Sequence, residues 1–427
     1  MKRLAFLMLV GFLPLSISHA GQASAQTVEE HAESFEIVWQ TINERFFDPD
    51  FNGVDWELSK LNFQSIVGSY SEPDSFYKYV NLMLFELGVS HTGVVPTDDP
   101  KQLGEASIFG EGTVGIEVRF IDEKLHVVSV APASSAAKSG LEPGVLLVAI
   151  DGISVAELAR RANEFPTPPF TDRNREYMAL GEIYWSLYGD VGSIVEITYL
   201  NHQGESHTLV AERTSRGGQE IFDSVLPSTY VSFDSKDLGG GIGYLRFSSF
   251  HPALLDDMMN AVDQFLSFEG IIIDLRGNPG GAFGVRAQLA SRFIEQRSIM
   301  WRYRGRNGID DIYIEPHDRV FQGNLVILVD ELSASSSEEF SGGLQALDIA
   351  TVIGRRTPGR DVVMDITALP NNSYFIFPVA ETMTNLGRVL EKNGVIPDLV
   401  VSHTESSLRQ GIDIQLESAI ELLRSAE

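Results

Sequence analysis

From Gly239 onward, short apolar runs alternate with amphipathic segments, and this alternation constrains the fold more than any other feature of the sequence. The runs IGYLRF, GIIIDL, LVILV and TVIG begin at Ile242, Gly270, Leu325 and Thr351. Between the first two runs, one helical face carries Leu255, Met258, Val262 and Phe265. Apolar runs that alternate with helical segments predict βαβ units around a mainly parallel sheet. We therefore predict an α/β domain at 225–427.

Two other patterns precede this region in the 427-residue chain, which is long enough for two or three domains of roughly 100–200 residues each. Residues 26–95 are predicted to form a helical domain, because apolar residues recur at helical spacing at Phe35, Trp39, Ile42 and Phe46. Residues 110–213 carry apolar strand segments such as LHVVSV and LLVAI. Within them, segment 156–190 is rich in proline and aromatic residues, and we interpret it as an insertion.

Residues 1–25 have the pattern of a secretory signal peptide. Two basic residues precede the apolar run Leu4–Ile17, and small residues allow cleavage after Ala20 or Ala25. A membrane anchor is the alternative, but the run is shorter than the roughly 20 apolar residues that a span needs. We expect no membrane span and an exported protein, which would be periplasmic in a Gram-negative bacterium.

The composition excludes several kinds of function. The net charge is −27 with no basic run, which argues against binding to nucleic acid. The chain has no cysteine, so disulfides, thiolate metal sites and cysteine nucleophiles are excluded. No His-x-x-x-His pair occurs, and the turn GNPGG lacks the lysine and hydroxyl of a phosphate-binding loop. We expect neither a metal nor a cofactor.

A serine cluster, DELSASSSEEFSGG, occupies Asp330–Gly343 between a predicted strand and a predicted helix. Most serine clusters are helix caps and turns. At a strand-to-helix junction, however, a serine can be exposed while the next amide points into an active site, although the G-x-S-x-G pattern is absent here. The cluster alone therefore leaves both interpretations open.

Three segments in this order resemble the C-terminal processing serine peptidases, a family that includes the tail-specific proteases and the tricorn core protease. They are IIIDLRGNPGG at Ile271–Gly281, SASSSE with the following GGLQALDIATVIGRRTPG, and LEKNGVIPDLVV at Leu390–Val401. The resemblance spans nearly all of the chain after the signal segment. It implies a crotonase-like α/β core preceded by a helical domain and a PDZ domain.

The resemblance also implies catalytic roles. It makes Ser335 the nucleophile and the amide of Ser336 one oxyanion donor. The second donor would come from the glycine turn, at Gly280 or Gly281, where the lack of a side chain lets the backbone approach the substrate.

The segment GTVGIEV stands where PDZ domains keep their carboxylate-binding loop. The resemblance implies that Gly115, Ile116 and Glu117 bind a peptide, which would add as a strand with its C-terminal carboxylate held by backbone amides. An unrelated small β-domain is the alternative.

The sequence departs from the tail-specific pattern at the general base. Those proteases use a lysine in a T-x-G-K element, and here the element runs from Thr357 to Arg360. Arginine stays protonated at any ordinary pH and cannot accept the serine proton. After Lys236 the remaining lysine is Lys392, which lies in a different motif. Either hydrolysis is lost or the base comes from elsewhere.

His91 is the predicted base. The pair Ser90-His91 resembles the pair that the tricorn-like branch contributes from this region, and that branch completes a Ser-His-Ser-Glu tetrad with a glutamate that corresponds to Glu391. A lone histidine after a helix is more often a cap, and His251 and His317, inside the catalytic half, stay open as alternatives.

We therefore predict an exported serine endopeptidase that cleaves unfolded or extended polypeptides and selects C-terminal tails. The alternative is a catalytically inactive peptide- or ligand-binding protein on the same scaffold, since a fold does not secure a function. A structural adaptor would leave the glycine turn and the serine cluster unexplained. The sequence leaves homo-oligomerisation open.

Overall fold

The computed structural model describes residues 28–67, 73–96, 111–163, 171–221 and 229–425. The signal peptide predicted at 1–25 lies outside these residues. None of the helices in the described ranges is both long and apolar enough to cross a bilayer.

The N-terminal region is helical, as the apolar spacing predicted. It contains α1 (Val28–Arg45), α2 (Trp56–Val67) and α3 (Pro73–Phe85), and it ends in strand β1 (Gly93–Pro96). The apolar faces of the helices do not form a separate core, because they pack on Phe375 and Phe377 from far along the chain. Strand β1 pairs antiparallel with the strand that carries these phenylalanines. The N-terminal region is thereby fixed to the C-terminal half.

Residues 111–221, here called the middle domain, form an antiparallel sheet with helices against it. Its strands are β2 (Gly112–Thr113), β3 (Ile116–Ile121), β4 (Lys124–Val130), β5 (Leu146–Ile150), β6 (Ile153–Ser154), β7 (Ile194–Leu200), β8 (Ser206–Glu212), β9 (Thr214–Ser215) and β10 (Gln219–Ile221). Its helices are α4 (Ser135–Lys138), α5 (Val155–Ala162) and α6 (Asp172–Leu187). The main sheet has the order β3-β4-β5-β7-β8, which leaves β3 at one edge.

Helix α6 belongs to the core of the middle domain. Its buried residues Tyr177, Leu180 and Ile183 pack in one cluster with Val118 and Val127 of the sheet. The segment 156–190 is predicted to be an insertion, and its described part supplies a helix that covers the sheet.

The α/β region begins after β11 (Thr229–Val231) and is built on two sheets. Its strands are β12 (Phe233–Asp237), β13 (Ile242–Phe247), β14 (Gly270–Asp274), β15 (Ser298–Gly305), β16 (Gly308–Ile314), β17 (Asn324–Val329), β18 (Ala350–Gly354), β19 (Val362–Leu369), β20 (Ser373–Thr384) and β21 (Leu399–Val400). Its helices are α7 (Leu255–Gln264), α8 (Phe283–Ala290), α9 (Ser336–Ala346), α10 (Glu405–Arg409) and α11 (Ile414–Ser425). Short 3₁₀ turns lie at Phe51–Gly53 and Pro252–Leu254.

The first sheet has the order β12-β13-β14-β17-β18-β21 and is parallel from β13 to β21. This confirms the predicted mainly parallel sheet. The second sheet, in which β1, β20, β15 and β16 are antiparallel and β19 also pairs with β20, was not predicted.

The parallel pairing of β14 with β17 determines where the site lies. The carboxyl ends of adjacent parallel strands meet at the same edge of a sheet, where ligands bind in open α/β folds. The glycine turn follows β14 and the serine cluster follows β17. The two motifs are therefore neighbours in space although some 50 residues separate them in sequence.

Candidate active site

Ser335 stands out from its surroundings by exposure and by backbone conformation. From Leu325 to Leu344, every residue except Ser335 is buried. Ser335 precedes the first residue of α9 and has a φ of 52° and a ψ of −120°, a conformation that is sterically unfavourable for a residue with a side chain. Its amide donates to Arg360 O at 3.0 Å and to Glu338 Oε2 at 3.2 Å. The fold therefore holds one serine of the cluster at the surface in a strained geometry.

The glycine turn lies directly against this serine. A Cβ on Gly280, whose φ is +109°, would lie 2.8 Å from Ser335 Cβ and 2.8 Å from Ser336 N, so a side chain cannot be accommodated there. The Ser336 hydroxyl donates to Gly281 O at 2.7 Å and joins the turn to α9. The amide of Ser336 is at the first position of the helix, where an N–H has no intrahelical acceptor.

The two predicted glycine donors differ in their hydrogen bonds. The amide of Gly280 donates to Asn278 Oδ1 at 2.9 Å, so it already has an acceptor. No acceptor for the Gly281 amide is found among the described residues. The geometry therefore favours Gly281 over Gly280 as the partner of Ser336 in an oxyanion hole.

Ser90, His91 and Glu391 form a continuous hydrogen-bonded chain. Ser90 Oγ lies 2.8 Å from His91 Nδ1 and donates to Glu391 Oε2 at 2.8 Å. The Ser90 amide donates to Glu391 Oε1 at 2.7 Å. When the Ser90 proton points to an ionised Glu391, the Ser90 oxygen accepts the Nδ1 proton, and Nε2 of His91 is left as the proton acceptor.

Two consecutive residues join this chain to the serine. The carbonyl of Arg360 accepts the hydrogen bond from the Ser335 amide, and the amide of Asp361 donates to Glu391 Oε2 at 2.8 Å. The N-terminal region, the serine helix and the segment after β20 therefore converge on one loop. The structure brings all four predicted tetrad residues to this place.

The electrostatic environment keeps His91 neutral. Burial lowers the pKa of His91 to about 3, and the nearby charge of Arg360 acts in the same direction. A neutral imidazole is the form that can accept a proton. Burial also raises the pKa of Glu391, although hydrogen bonds from Ser90 and Asp361 act against this change.

The alternative histidines serve as local caps. Nδ1 of His251 accepts from Ala253 N at 3.2 Å, and Nδ1 of His317 accepts from Arg319 N at 3.1 Å. Both bonds are of the kind that stabilises a turn or the start of a helix.

Glu338 was not predicted as a site residue, yet it organises the loop that replaces the T-x-G-K element. Its buried carboxylate accepts from the Thr357 hydroxyl, from Gly359 N at 2.8 Å and from Arg360 N at 2.9 Å. Burial raises the pKa of Glu338 to about 7. The spacing Ser-x-x-Glu from Ser335 matches a capping box, so the sequence did contain a signal for this residue.

The predicted peptide-binding residues lie at the start of β3, in the middle domain. Gly115 has a φ of +81°, and a Cβ there would lie 2.4 Å from Ser134 Cβ. Ile116 pairs with Val130 on β4, and the carboxylate of Glu117 forms an ion pair with Arg246 at 2.8 Å. These residues are thus part of the sheet edge rather than of the catalytic cluster.

Comparisons with known proteins show similarity to peptidases. Residues 241–401 match peptidase family S41, and residues 27–85 match the C1 domain of tricorn protease. The carboxyl-terminal-processing protease of Picosynechococcus sp. is 25% identical over 90% of this chain and 87% of its own length. The protein of the same description from Synechocystis sp. is 24% identical over 98% and 92%.

Two solved structures share the fold. The photosystem II D1 C-terminal processing protease covers 87% of this chain and 93% of its own, with a TM-score of 0.58 at 21% identity. Mature CPAF covers 93% and 98%, with a TM-score of 0.65 at 15% identity. The family match and the curated relatives together indicate a serine peptidase. The part of the chain that matches peptidase family S41 is the α/β region that carries Ser335.

Proposed function

We propose that this peptidase is an exported endopeptidase that cleaves unfolded or extended polypeptides near their C-termini. The relatives are described as carboxyl-terminal-processing proteases, which supports the choice of C-terminal tails. The observation that carries the proposal is Ser335, the single partly exposed residue in an otherwise buried stretch of 20 residues, set against the glycine turn.

Four residues carry the proposed mechanism. His91 takes the proton of the Ser335 hydroxyl as the oxygen attacks the scissile carbonyl. The amides of Ser336 and Gly281 receive the oxyanion, and each such donor contributes roughly 3–4 kcal/mol of transition-state stabilisation. His91 then protonates the leaving amine. In the second half of the reaction, His91 takes a proton from the water that attacks the acyl-enzyme and returns it to the Ser335 oxygen.

Ser90 and Glu391 are proposed to orient the histidine. Their hydrogen bonds fix the Nδ1 proton, so that Nε2 faces the reaction in its unprotonated form. Glu391 also provides a negative charge that stabilises the imidazolium during the reaction, through the bridging hydroxyl of Ser90.

The proposal also assigns a fold type to two regions of the chain. We infer a crotonase-like core in the α/β region and a PDZ-like domain at 110–213. The edge position of β3 and the left-handed Gly115 support a site where a peptide adds as a strand and its carboxylate meets backbone amides. Export to the periplasm rests on the pattern of residues 1–25, and N-terminal sequencing of the secreted protein tests it.

Mass spectrometry of an unfolded test protein provides the test of function. We expect cleavage by the parent chain, mapped to positions near C-termini, and its loss in Ser335→Ala and in His91→Ala. His317→Ala is the matched control, because this histidine caps an exposed turn, and it should cleave as the parent does.

Two other outcomes are informative. Cleavage that survives in His91→Ala but not in Ser335→Ala would keep the nucleophile and refute the histidine base. Absence of cleavage by a folded parent would favour the peptide-binding protein on the same scaffold.

A further inference from the structure

Arg360 carries a buried charge without a carboxylate partner. The other buried arginines each form an ion pair: Arg119 with Asp330, Arg213 with Asp151, Arg286 with Glu339 and Arg292 with Asp263. Within the described ranges no such pair is found for Arg360, which is 9% exposed. A buried charge is costly unless an opposite charge compensates it, and arginine cannot lose its proton to avoid that cost.

The guanidinium group is instead held by neutral groups on α6. Nη1 donates to Asn174 Oδ1 at 3.0 Å and lies 3.6 Å from Met178 Sδ. The guanidinium carbon lies 4.8 Å from the centre of the Tyr177 ring. These contacts position the group without neutralising it.

Glu391 is close enough for its pKa to be affected by Arg360, but it is occupied by other donors. Its Oε1 accepts from the Ser90 amide, and its Oε2 accepts from the Ser90 hydroxyl and from the Asp361 amide. The charge of Arg360 is therefore available to an external anion.

The position of Arg360 limits what that anion can be. Its backbone carbonyl binds the Ser335 amide, and its charge affects His91. Its side chain reaches α6, whose Tyr184 hydroxyl accepts from the Val118 amide of the edge strand β3. A polypeptide that runs from the edge of the middle domain to the serine would pass this guanidinium group.

We propose that Arg360 binds a carboxylate of the substrate polypeptide beside the scissile bond and thereby determines which bonds are cut. This inference rests on the proposed function at Ser335. The carboxylate is either the C-terminal α-carboxylate or an acidic side chain near the cut. A guanidinium suits both, because its planar donors match the two oxygens of a carboxylate.

The test measures peptide binding in the absence of turnover. Full-length Ser335→Ala protein is titrated into fluorescently labelled peptides that correspond to the cleavage region of the test protein, with anisotropy as the readout. In the first pair of peptides, one member ends in a free carboxylate and the other in an amide. In the second pair, one member carries aspartate next to the scissile bond and the other carries asparagine there. We expect the charged member of at least one pair to bind roughly 10- to 100-fold more tightly, the range that hydrogen bonds to a charged group supply.

Substitutions at Arg360 then locate the preference. Arg360→Met in the Ser335→Ala background should bind the two members of the pair equally, and Arg360→Lys should keep part of the preference. Arg356→Met is the matched control, because Arg356 lies in the same loop but is partly exposed and donates to Asn393 O. It should keep the preference in full.

A thermal melt distinguishes substrate binding by Arg360 from a structural role of the same residue. Removing an uncompensated buried charge should leave the Tm of Arg360→Met equal to or above that of the parent, whereas loss of a structural ion pair would lower it. The pair that shows the effect distinguishes a terminal carboxylate from an acidic side chain.

Equal affinities within both pairs, or a preference that persists in Arg360→Met, would overturn the proposal. Because binding is measured without cleavage, failure of the proposed function would be detected separately, as a parent protein that cuts no polypeptide.

Discussion

Glu338 links the serine to the loop that carries Arg360. Its carboxylate accepts from the Thr357 hydroxyl and from the amides of Gly359, Arg360 and Ser335. Four donors on one buried carboxylate fix the loop and the start of α9 in a single arrangement. The position of the nucleophile therefore depends on a residue that performs no chemistry.

Replacement of Glu338 tests this role. Glu338→Ala leaves buried amides without an acceptor, at about 1–3 kcal/mol each, so we expect a loss of about 3 kcal/mol or more in the free energy of unfolding. The kcat should fall as well, because Ser335 and the oxyanion donors lose their alignment. Urea unfolding and peptide hydrolysis measure the two effects. Glu315→Ala, on an exposed ion pair with Arg297, is the control and should change stability by less than about 1 kcal/mol. A Glu338→Ala protein with parental stability and kcat would contradict this account.

At the scale of residues, the sequence indicates candidates where a motif is present, and it misses residues whose importance only burial reveals. Ser335, His91 and Glu391 follow from family motifs, and the structure brings them to one loop. Asp361 has no such signal, yet it is fully buried among other carboxyls, which together with its burial raise its pKa well above the usual range. Only the packing of α9 against the loop reveals that cluster.

At the scale of elements, one side chain of α6 occupies a backbone amide at the edge of β3. The Val118 amide donates to the hydroxyl of Tyr184 at 3.0 Å, and Arg119 Nη1 donates to the same hydroxyl at 2.8 Å. A peptide that adds as a strand to β3 needs backbone groups of this edge. The Tyr184 hydroxyl therefore competes with the peptide for the Val118 amide.

Tyr184→Phe removes the competing hydroxyl but keeps the ring in the core. We expect C-terminal peptides to bind roughly three- to tenfold more tightly to Tyr184→Phe than to the parent, both in the Ser335→Ala background, since one hydrogen bond contributes about 0.5–1.5 kcal/mol. Isothermal titration calorimetry measures this difference. Tyr199→Phe on β7, where the ring stacks on His207, is the control. Unchanged or weaker binding would show that peptides do not use this edge.

Elements were predictable where the hydrophobic pattern was continuous. The buried parallel strands β14 and β17 appear as unbroken apolar runs and were found. Strands β15 and β16 were missed because charged residues interrupt them, as in WRYRGRNGIDDIYI. The dipeptide Asn307-Gly308, at the turn between these strands, is a sequence signal that predicts a hairpin. The packing of α6 on the sheet of the middle domain was not predicted from the sequence.

At the scale of the whole molecule, the site exists only when distant parts of the chain are docked. His91 follows the N-terminal helices and is fixed by β1, which pairs with β20. Arg119 of the middle domain forms an ion pair with Asp330, at the start of the serine cluster, at 2.7 Å. The same Asp330 carboxylate accepts from the Gly277 amide at 2.9 Å, in the glycine turn. Each of the three regions therefore contributes a fixed contact to one cluster.

This arrangement also concentrates buried carboxyl groups around the site, which sets the pH dependence of stability. Burial raises the pKa of Glu331 and of Glu338 to about 7. Since the unfolded chain titrates these groups near pH 4.5, the folded state binds more protons between the two values, and stability falls as pH rises through that window. The lowered pKa of His91 has the opposite effect on stability. Between about pH 3 and pH 6.5 the imidazole is protonated mainly in the unfolded chain, so this contribution to stability grows as the pH rises. Above pH 6.5 less than half of the unfolded chain still carries the histidine proton, so the carboxyl contribution dominates.

We therefore expect the free energy of unfolding to decrease between pH 6.5 and about 7.5, by up to about 1.4 kcal/mol per pH unit for each proton involved. Urea unfolding at closely spaced pH values measures the slope. Glu331→Gln, which cannot titrate, should flatten the decrease, while Glu315→Gln at an exposed position should not. The prediction would be contradicted by a stability that rises over this range, and equally by a slope that Glu331→Gln leaves unchanged. Either result would mean that these carboxyls are already ionised in the folded protein, because their arginine neighbours compensate fully for burial.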